Sequence, residues 1–418
     1  FFIEALGYYI GGIDGIFLLQ CVFGILNLIF IYGIWKTFKN KKIIDLIFVY
    51  IAMFSVFFYT FEGGNLSEEY SLTFIYLCLY LFIRYAINTK ERIKHPYSYS
   101  FIYGICFMII SLIRINNAIT IVAGILGIII YLIYKKEYKN LFINLLMGIL
   151  GCLMVAIPLL IYFYNNSSIY EMIYATFIYN FKYVGNIGHN DIFNNLDKYL
   201  ILYMPLILSI IFIFKNSKIK NNFSFLDFML IIIVLFNIIC LLIANTYPHY
   251  FTIYIPVFIV IILKYWNFDI KSIKTILLFF VVFVYLYNCS HNFINDNYTE
   301  LTSDSYENKY MIIKNDIELI PDNEKKSVIG YNIPAAYYLI GDILPCYKYY
   351  IHQEWWSISN PDIKNEFIKW LENSKVLWII TLPDEDCMEI QKIISNNYEL
   401  KYSNEYISMY RLEYNVLY

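Results

Sequence analysis

Along its first two thirds the chain alternates apolar runs of roughly bilayer length with short polar connectors. The pattern predicts about ten such runs, near 13–35, 43–61, 70–87, 100–114, 118–134, 141–163, 199–214, 226–244, 250–265 and 275–288. Beyond residue 288 the period changes. Short β-rich runs at Val328 to Tyr331, Tyr347 to Ile351, Val376 to Thr381, Tyr398 to Tyr402 and Tyr406 to Arg411 alternate with helical stretches near Ala335 to Ile340, Ile363 to Leu371 and Glu385 to Ser395. The expected fold is an α-helical polytopic membrane bundle of about ten transmembrane helices over residues 1–288. A small C-terminal α/β domain is expected over 289–418.

Composition supports this division. The chain is 60% hydrophobic and only 15% charged, with a mean hydropathy of +0.55, which places it outside the soluble globular range. A net charge of -2 gives no footing for nucleic acid. The sequence contains no phosphate-binding P-loop, no dinucleotide-type glycine run and no metal-type Cys or His pair, so no nucleotide cofactor is expected. Its eight cysteines are scattered and read as small buried thiols, with at most one disulfide among Cys289, Cys346 and Cys387.

The connectors carry opposite charge patterns. One alternate set holds Lys36, Lys39, Lys41 and Lys42, then Lys90, Arg92 and Lys94, then Lys135, Lys136 and Lys139, and later Lys215, Lys218, Lys220, Lys271 and Lys274. By the positive-inside rule this set faces the cytoplasm. The opposite connectors contain only Arg114, Lys182 and Lys198 as bases. The expected location is the cytoplasmic (inner) membrane, multi-pass, with the C-terminal domain extracytoplasmic.

Candidate chemistry gathers at the outer connectors. Residues 61 to 70 place Glu62, Glu68 and Glu69 around Gly63-Gly64, between two apolar runs. The glycines permit a tight turn, and Asn65 or Ser67 is expected to cap the following helix. Two readings stand for the glutamates: catalytic or ligand-holding carboxylates, or residues that complement the helix dipole. Adjacent helical positions diverge by about 100°, so Glu68 and Glu69 are expected to take different partners.

Arg114, followed by Asn116 and Asn117, runs against the charge trend and calls for an anion: a lipid phosphate or one of the outer carboxylates. Headgroup snorkelling is the alternative. His249 and Tyr250, in the Tyr247-Pro248-His249-Tyr250 connector, serve either a phosphate and proton transfer or a structural aromatic belt. Ile169 to Tyr183 reads as an interfacial lid or a passive loop, with Lys182 as a rare outer base. Trp355 and Trp356 are read as interfacial aromatics or a sugar-stacking pair.

Taken in order, the G-G-N-x-[ST]-E-E-Y loop ending at Tyr70, R-x-N-N from Arg114 and P-H-Y-F from Pro248 resemble bacterial membrane glycosyltransferases of the GT-C fold. The protein-mannosyltransferase and aminoarabinose-transferase-like group (glycosyltransferase family 39-like) is the one resembled. The resemblance implies a polyprenyl-phosphate-linked sugar donor and transfer to a lipid, glycan or protein acceptor at the outer leaflet, among membrane lipids. It also implies a principal catalytic carboxylate in the first outer loop, which would precede a chain that begins at Phe1 without Met. On this reading Glu68, Glu69 and Glu62 are catalytic or accessory carboxylates. Arg114, Asn117, His249, Tyr250 and Lys182 bind substrate. The chemistry is a direct, inverting displacement, and a divalent cation is compatible but not required. A lipid-linked sugar flippase and a component of a cell-envelope glycan polymerase are the alternatives.

Overall fold

The computed structural model describes residues 2–39, 41–60, 65–89, 93–179, 206–207, 209–215, 223–243, 247–266, 269, 271–302, 304–349, 352–354, 361–385 and 387–413. These residues form two compact units, one running to Phe293 and one beginning at Ile294. The first contains α1 (Phe2–Thr37), α2 (Ile43–Thr60), α3 (Ser67–Asn88), α4 (Tyr97–Arg114), α5 (Ile119–Tyr134), α6 (Tyr138–Asn165), α7 (Ile169–Ile173), α8 (Phe225–Ile243) and α9 (Ile255–Tyr265). Helix α10 (Ile273–Thr302) follows, and short 3₁₀ turns at Ile115–Ala118 and Pro248–Tyr254 lead into α5 and α9.

Among the described residues, five helical stretches are long and apolar enough to cross a membrane: Asp14–Thr37, Ser67–Asn88, Tyr97–Tyr134, Tyr138–Asn165 and Phe225–Leu242. This makes the chain a multi-pass membrane protein; five of the expected stretches are long enough to span among the described residues. Ile43–Phe58, Ile169–Ile178, His249–Tyr265 and Thr275–Asn288 are apolar but shorter, and most of the run at 199–214 lies outside the described residues. Hydrophobicity alone does not separate a full span from a shorter helix buried against its neighbours.

The stretch Tyr97–Tyr134 turns back on itself. Arg114 is extended, with φ -163° and ψ 116°. On α3, Phe82 packs on Tyr103 of α4 at 4.5 Å and against Gly124 of α5, while Tyr85 meets both His95 at 4.6 Å and Tyr131 at 6.3 Å. The two helices therefore run antiparallel, and Arg114 marks the reversal.

Helix α3 is the hub of this unit. It is 72% buried, whereas α6 is 11% buried and faces outward with Leu145, Ile149 and Met154 exposed. Against α3 lies α1, which breaks near its start: Gly12 has φ +64°, a conformation that disfavours any side chain. The break folds the first turns back so closely that a Cβ on Gly15 would lie 2.1 Å from the Gly7 carbonyl oxygen.

The second unit holds α11 (Asp304–Glu318), β1 (Val328–Gly330), α12 (Ala336–Ile340), α13 (Pro361–Ser374), β2 (Trp378–Thr381), α14 (Met388–Asn397), β3 (Tyr398–Ser403) and β4 (Ser408–Leu412). The sheet order is β1-β2-β4-β3, with β1 and β2 parallel and the other pairs antiparallel. Alternate residues serve opposite faces. Val328, Trp378 and Ile380 pack with Ile313, Ile317 and Tyr337, while Ile329 and Ile379 pack with Phe367, Leu371 and Ile390. The strand expected at Tyr347 to Ile351 does not form in its described part, where 347–349 is irregular; the Tyr347 ring instead packs on Trp370 at 4.4 Å. Trp355 and Trp356 lie outside the described residues.

Seven cysteines are free among the described residues, including Cys346 and Cys387, and Cys21 is exposed rather than buried.

Candidate functional site

The site is built at the start of α3. Leu66 is the helix N-cap and makes no side-chain capping bond, so neither Asn65 nor Ser67 caps as expected. Asn65 sits instead in the left-handed region at φ 54°, accepts from the Tyr70 hydroxyl at 2.7 Å and donates to Glu4 at 2.9 Å. The fold-back of α1 is what brings Glu4 there.

Glu68 and Glu69 diverge as helical geometry requires. Glu68 is 1% exposed, and its Oε1 pairs with Arg114 at 3.0 Å while Oε2 accepts from Ser67 at 2.9 Å. The Arg114 guanidinium lies over the Tyr250 ring, 4.2 Å from its centroid, and also bonds its hydroxyl. Two N–H groups of the fork are thus engaged, and the side chain remains 30% exposed. His249 packs edge-on to Tyr250 at 4.5 Å and parallel to Tyr247 at 5.6 Å. The order His249, Tyr250, Arg114, Glu68 is a continuous ladder from an aromatic surface to a buried acid.

Glu69 faces the other way. Its Oε2 accepts from Gln20 of α1 at 2.8 Å, and its Oε1 is buried with no hydrogen-bond partner. Leaving such an acceptor unsatisfied costs about 1–3 kcal/mol, so this oxygen is a place where a ligand hydroxyl or water gains more than it would at the surface. One helical turn deeper, Thr73 bonds Asn27 at 2.7 Å. Gln20 and Asn27 are seven residues apart on α1, Glu69 and Thr73 four apart on α3, and each spacing keeps its pair on one helix face.

Asn117 is 2% exposed and donates to Ser71 of α3 at 3.0 Å. Its amide pins the reversal to α3 and is not directed at open space. Arg114, Asn117, Cys240, Tyr250 and Tyr254 line a cavity of about 20 Å³, room for a single water.

The structure thus gathers Glu68, Glu69, Arg114, Asn117, His249 and Tyr250 at one end of the bundle. Glu62 and Lys182 lie outside the described residues, as do Gly63 and Gly64. The lid expected over Ile169 to Tyr183 is described only to Tyr179, where α7 passes into a π turn at Tyr174–Ile178. Sequence reasoning missed Gln20, Glu4 and Tyr70. For Gln20 a signal existed: with Asn27 it forms a polar pair at helical spacing inside an apolar run. Among the described residues, no group of three or more His, Cys, Asp or Glu side chains is arranged to hold a metal ion.

Residues 1–294 match the family model described as "Putative competence-induced protein Ccs4 N-terminal domain". The chain belongs to that family. This overturns the resemblance to the protein-mannosyltransferase and aminoarabinose-transferase-like group, which rested on three short motifs at membrane turns. No curated protein and no solved structure matches the chain.

Proposed function

We propose that this Ccs4-family chain is a membrane-embedded transferase acting on a phosphate-linked lipid, with glycosyl transfer from a polyprenyl-phosphate sugar as its reaction. The observation that carries it is Glu69 Oε1, a buried carboxylate oxygen without a partner, at the same end of the bundle as Arg114, whose fork keeps an exposed edge.

In this mechanism Arg114 takes the donor phosphate and is steadied from behind by Glu68 and Tyr250. Glu69, held by Gln20, accepts the proton of an acceptor hydroxyl as it attacks the anomeric carbon. The bond from that carbon to the phosphate oxygen breaks, the lipid phosphate leaves with the electron pair, and the anomeric centre inverts. Asn65 and Tyr70 orient the acceptor. Because Arg114 is already paired with Glu68, it serves the phosphate through directed hydrogen bonds, and a divalent cation is compatible with the same reaction.

The finer topology belongs to the same proposal. The shorter apolar helices complete about ten passes, the Glu68 end faces outward from the cytoplasmic membrane, and the second unit is extracytoplasmic. The acceptor is a lipid, glycan or protein of the cell envelope.

The test is reconstitution of the protein with a panel of polyprenyl-phosphate sugars, reading release of polyprenyl phosphate, alongside Glu69→Gln and Arg114→Ala. Release from the parent and its loss in Glu69→Gln is the expected result. Passage of intact lipid-linked sugar across the bilayer with no bond broken would replace the transferase with a flippase.

A further inference from the structure

At the opposite end from Glu68, α4, α5 and α6 enclose a cavity of about 210 Å³. Its origin is a difference in packing. Helices α4 and α6 meet backbone to backbone, since a Cβ on Gly104 would fall 2.0 Å from the Gly148 carbonyl oxygen. Helix α5 carries bulkier side chains and stands away from that pair. The resulting slot is walled by Tyr103, Phe107, Ile125, Leu132 and Leu145. Leu145 at its mouth and Ile149 beside it are about half exposed, on the outward face of α6.

The slot is polar at one end only. Ser100 and Asn144 line that end, and both are engaged: Ser100 donates to Asn144 Oδ1 at 2.7 Å, and Asn144 donates to the His95 and Asn140 carbonyls at 3.2 and 2.8 Å. From Leu141 to Cys152, both lining residues, α6 rises roughly 16 Å, the reach of an extended hydrocarbon tail. A membrane-facing slot of this kind does not stay empty in lipid.

The polar end lies where α5 passes into α6, and that connector carries Lys135, Lys136 and Lys139 against Glu137. The turn is fixed. Lys136 occupies the left-handed position at φ 60°, its N–H bonds the Ile133 carbonyl, and the Glu137 N–H bonds the Leu132 carbonyl, which closes a Schellman cap without glycine. Lys135 is held over the Tyr131 and Tyr134 rings at 5.7 and 5.2 Å. A cationic, aromatic-backed rim above an apolar slot matches one kind of molecule.

We infer that this slot holds one tail of an anionic phospholipid whose phosphate sits over Lys135 and Lys136. The site is separate from the Glu68 end and stands whether or not the chain is a transferase. Its occupant is a resident bilayer lipid bound from the Lys-rich leaflet.

Native mass spectrometry of the full chain tests it, after mixing in mild detergent with equal amounts of phosphatidylglycerol and phosphatidylcholine. The expected result is a retained phosphatidylglycerol on the parent protein in preference to phosphatidylcholine. Joint Lys135→Gln and Lys136→Gln substitution lowers that retention on the order of tenfold and erases the preference. Gly148→Leu adds a side chain at a residue lining the slot, where a Cβ meets only the Ser100 carbonyl oxygen within 4 Å, at 3.6 Å, and it removes both lipids. Leu145→Trp blocks the exposed mouth and does the same if Gly148→Leu does not fold. Equal retention of the two lipids by the parent, or undiminished retention in the blocked variants, overturns the inference.

Discussion

Each end of the first unit buries a carboxylate beside a cation, and the two ends treat it differently. Asp227 of α8 is 3% exposed and has both oxygens filled. Oδ1 accepts from Lys264 at 2.6 Å and from Tyr265, and Oδ2 accepts from the Ser224 amide at 2.7 Å and hydroxyl at 2.5 Å. Ser224 and Asp227 also close a reciprocal cap on α8. At the other end Glu68 is filled, but Glu69 beside it keeps one oxygen empty. A buried acid whose every lone pair is used holds the fold together. One left open at the same depth reduces stability, and on the proposed function it is the oxygen that takes the acceptor proton.

The largest expected effect separates these roles. Lys264→Met strands Asp227 in an apolar surround and costs about 3–5 kcal/mol, read as loss of folded protein in thermal unfolding of the detergent-solubilised chain. Glu69→Gln is the counterpart: unfolding shifts by less than about 1 kcal/mol, while transfer falls about a hundredfold or more. Equal damage to stability from both substitutions would erase the distinction between the ends.

A smaller effect extends the comparison to the second unit, where burial acts on a histidine. His352 is 1% exposed and lies against Phe367 at 4.3 Å and Tyr331 at 5.4 Å. Burial pushes its pKa down to about 4, opposed by Glu354 and reinforced by Lys364. The folded state therefore resists a proton that the unfolded chain accepts. Stability is fully present above about pH 6.5 and falls as pH drops toward 4, by about 3 kcal/mol at most. Hydrogen exchange of the β1 and β2 amides in the full chain reads this, and His352→Phe, which keeps the stack, flattens the response between those pH values.

The smallest effect refines the Arg114 ladder. Tyr250→Phe keeps the ring over the guanidinium and removes only the hydroxyl contact, so donor lipid binding weakens about fivefold. No change in donor affinity would confine Tyr250 to packing.

What the sequence made legible follows from the range of each interaction. Apolar run length located α2 to α6 and α8 to within a few residues, and period-2 alternation located β1, β2, β3 and β4. Helix α11 was missed because Asp304 to Glu318 is polar on most faces and buries only a narrow stripe through Ile313 and Ile317. The demand of Arg114 for an anion was readable from its place in the charge pattern, and Glu68 supplies it. That Glu69 turns to Gln20 was not readable, because the choice depends on how α1 rotates against α3. The position of Glu4 required the chain reversal at Gly12, which no apolar pattern encodes. Short polar motifs at membrane turns proved a poor guide to family for the same reason: they record where the chain leaves the membrane more than what it does there.

The central place of α3 has a consequence for biogenesis. Of the five apolar stretches it has the lowest hydropathy, and it carries Glu68 and Glu69 in its first turn. Alone, it is the helix with the weakest claim on lipid. Gln20 is already synthesised when α3 emerges, but Arg114 arrives only at the end of the next helix, α4. The pairing that neutralises Glu68 therefore forms only after the end of α4 has been made, so the hub of the bundle waits on the helix that follows it.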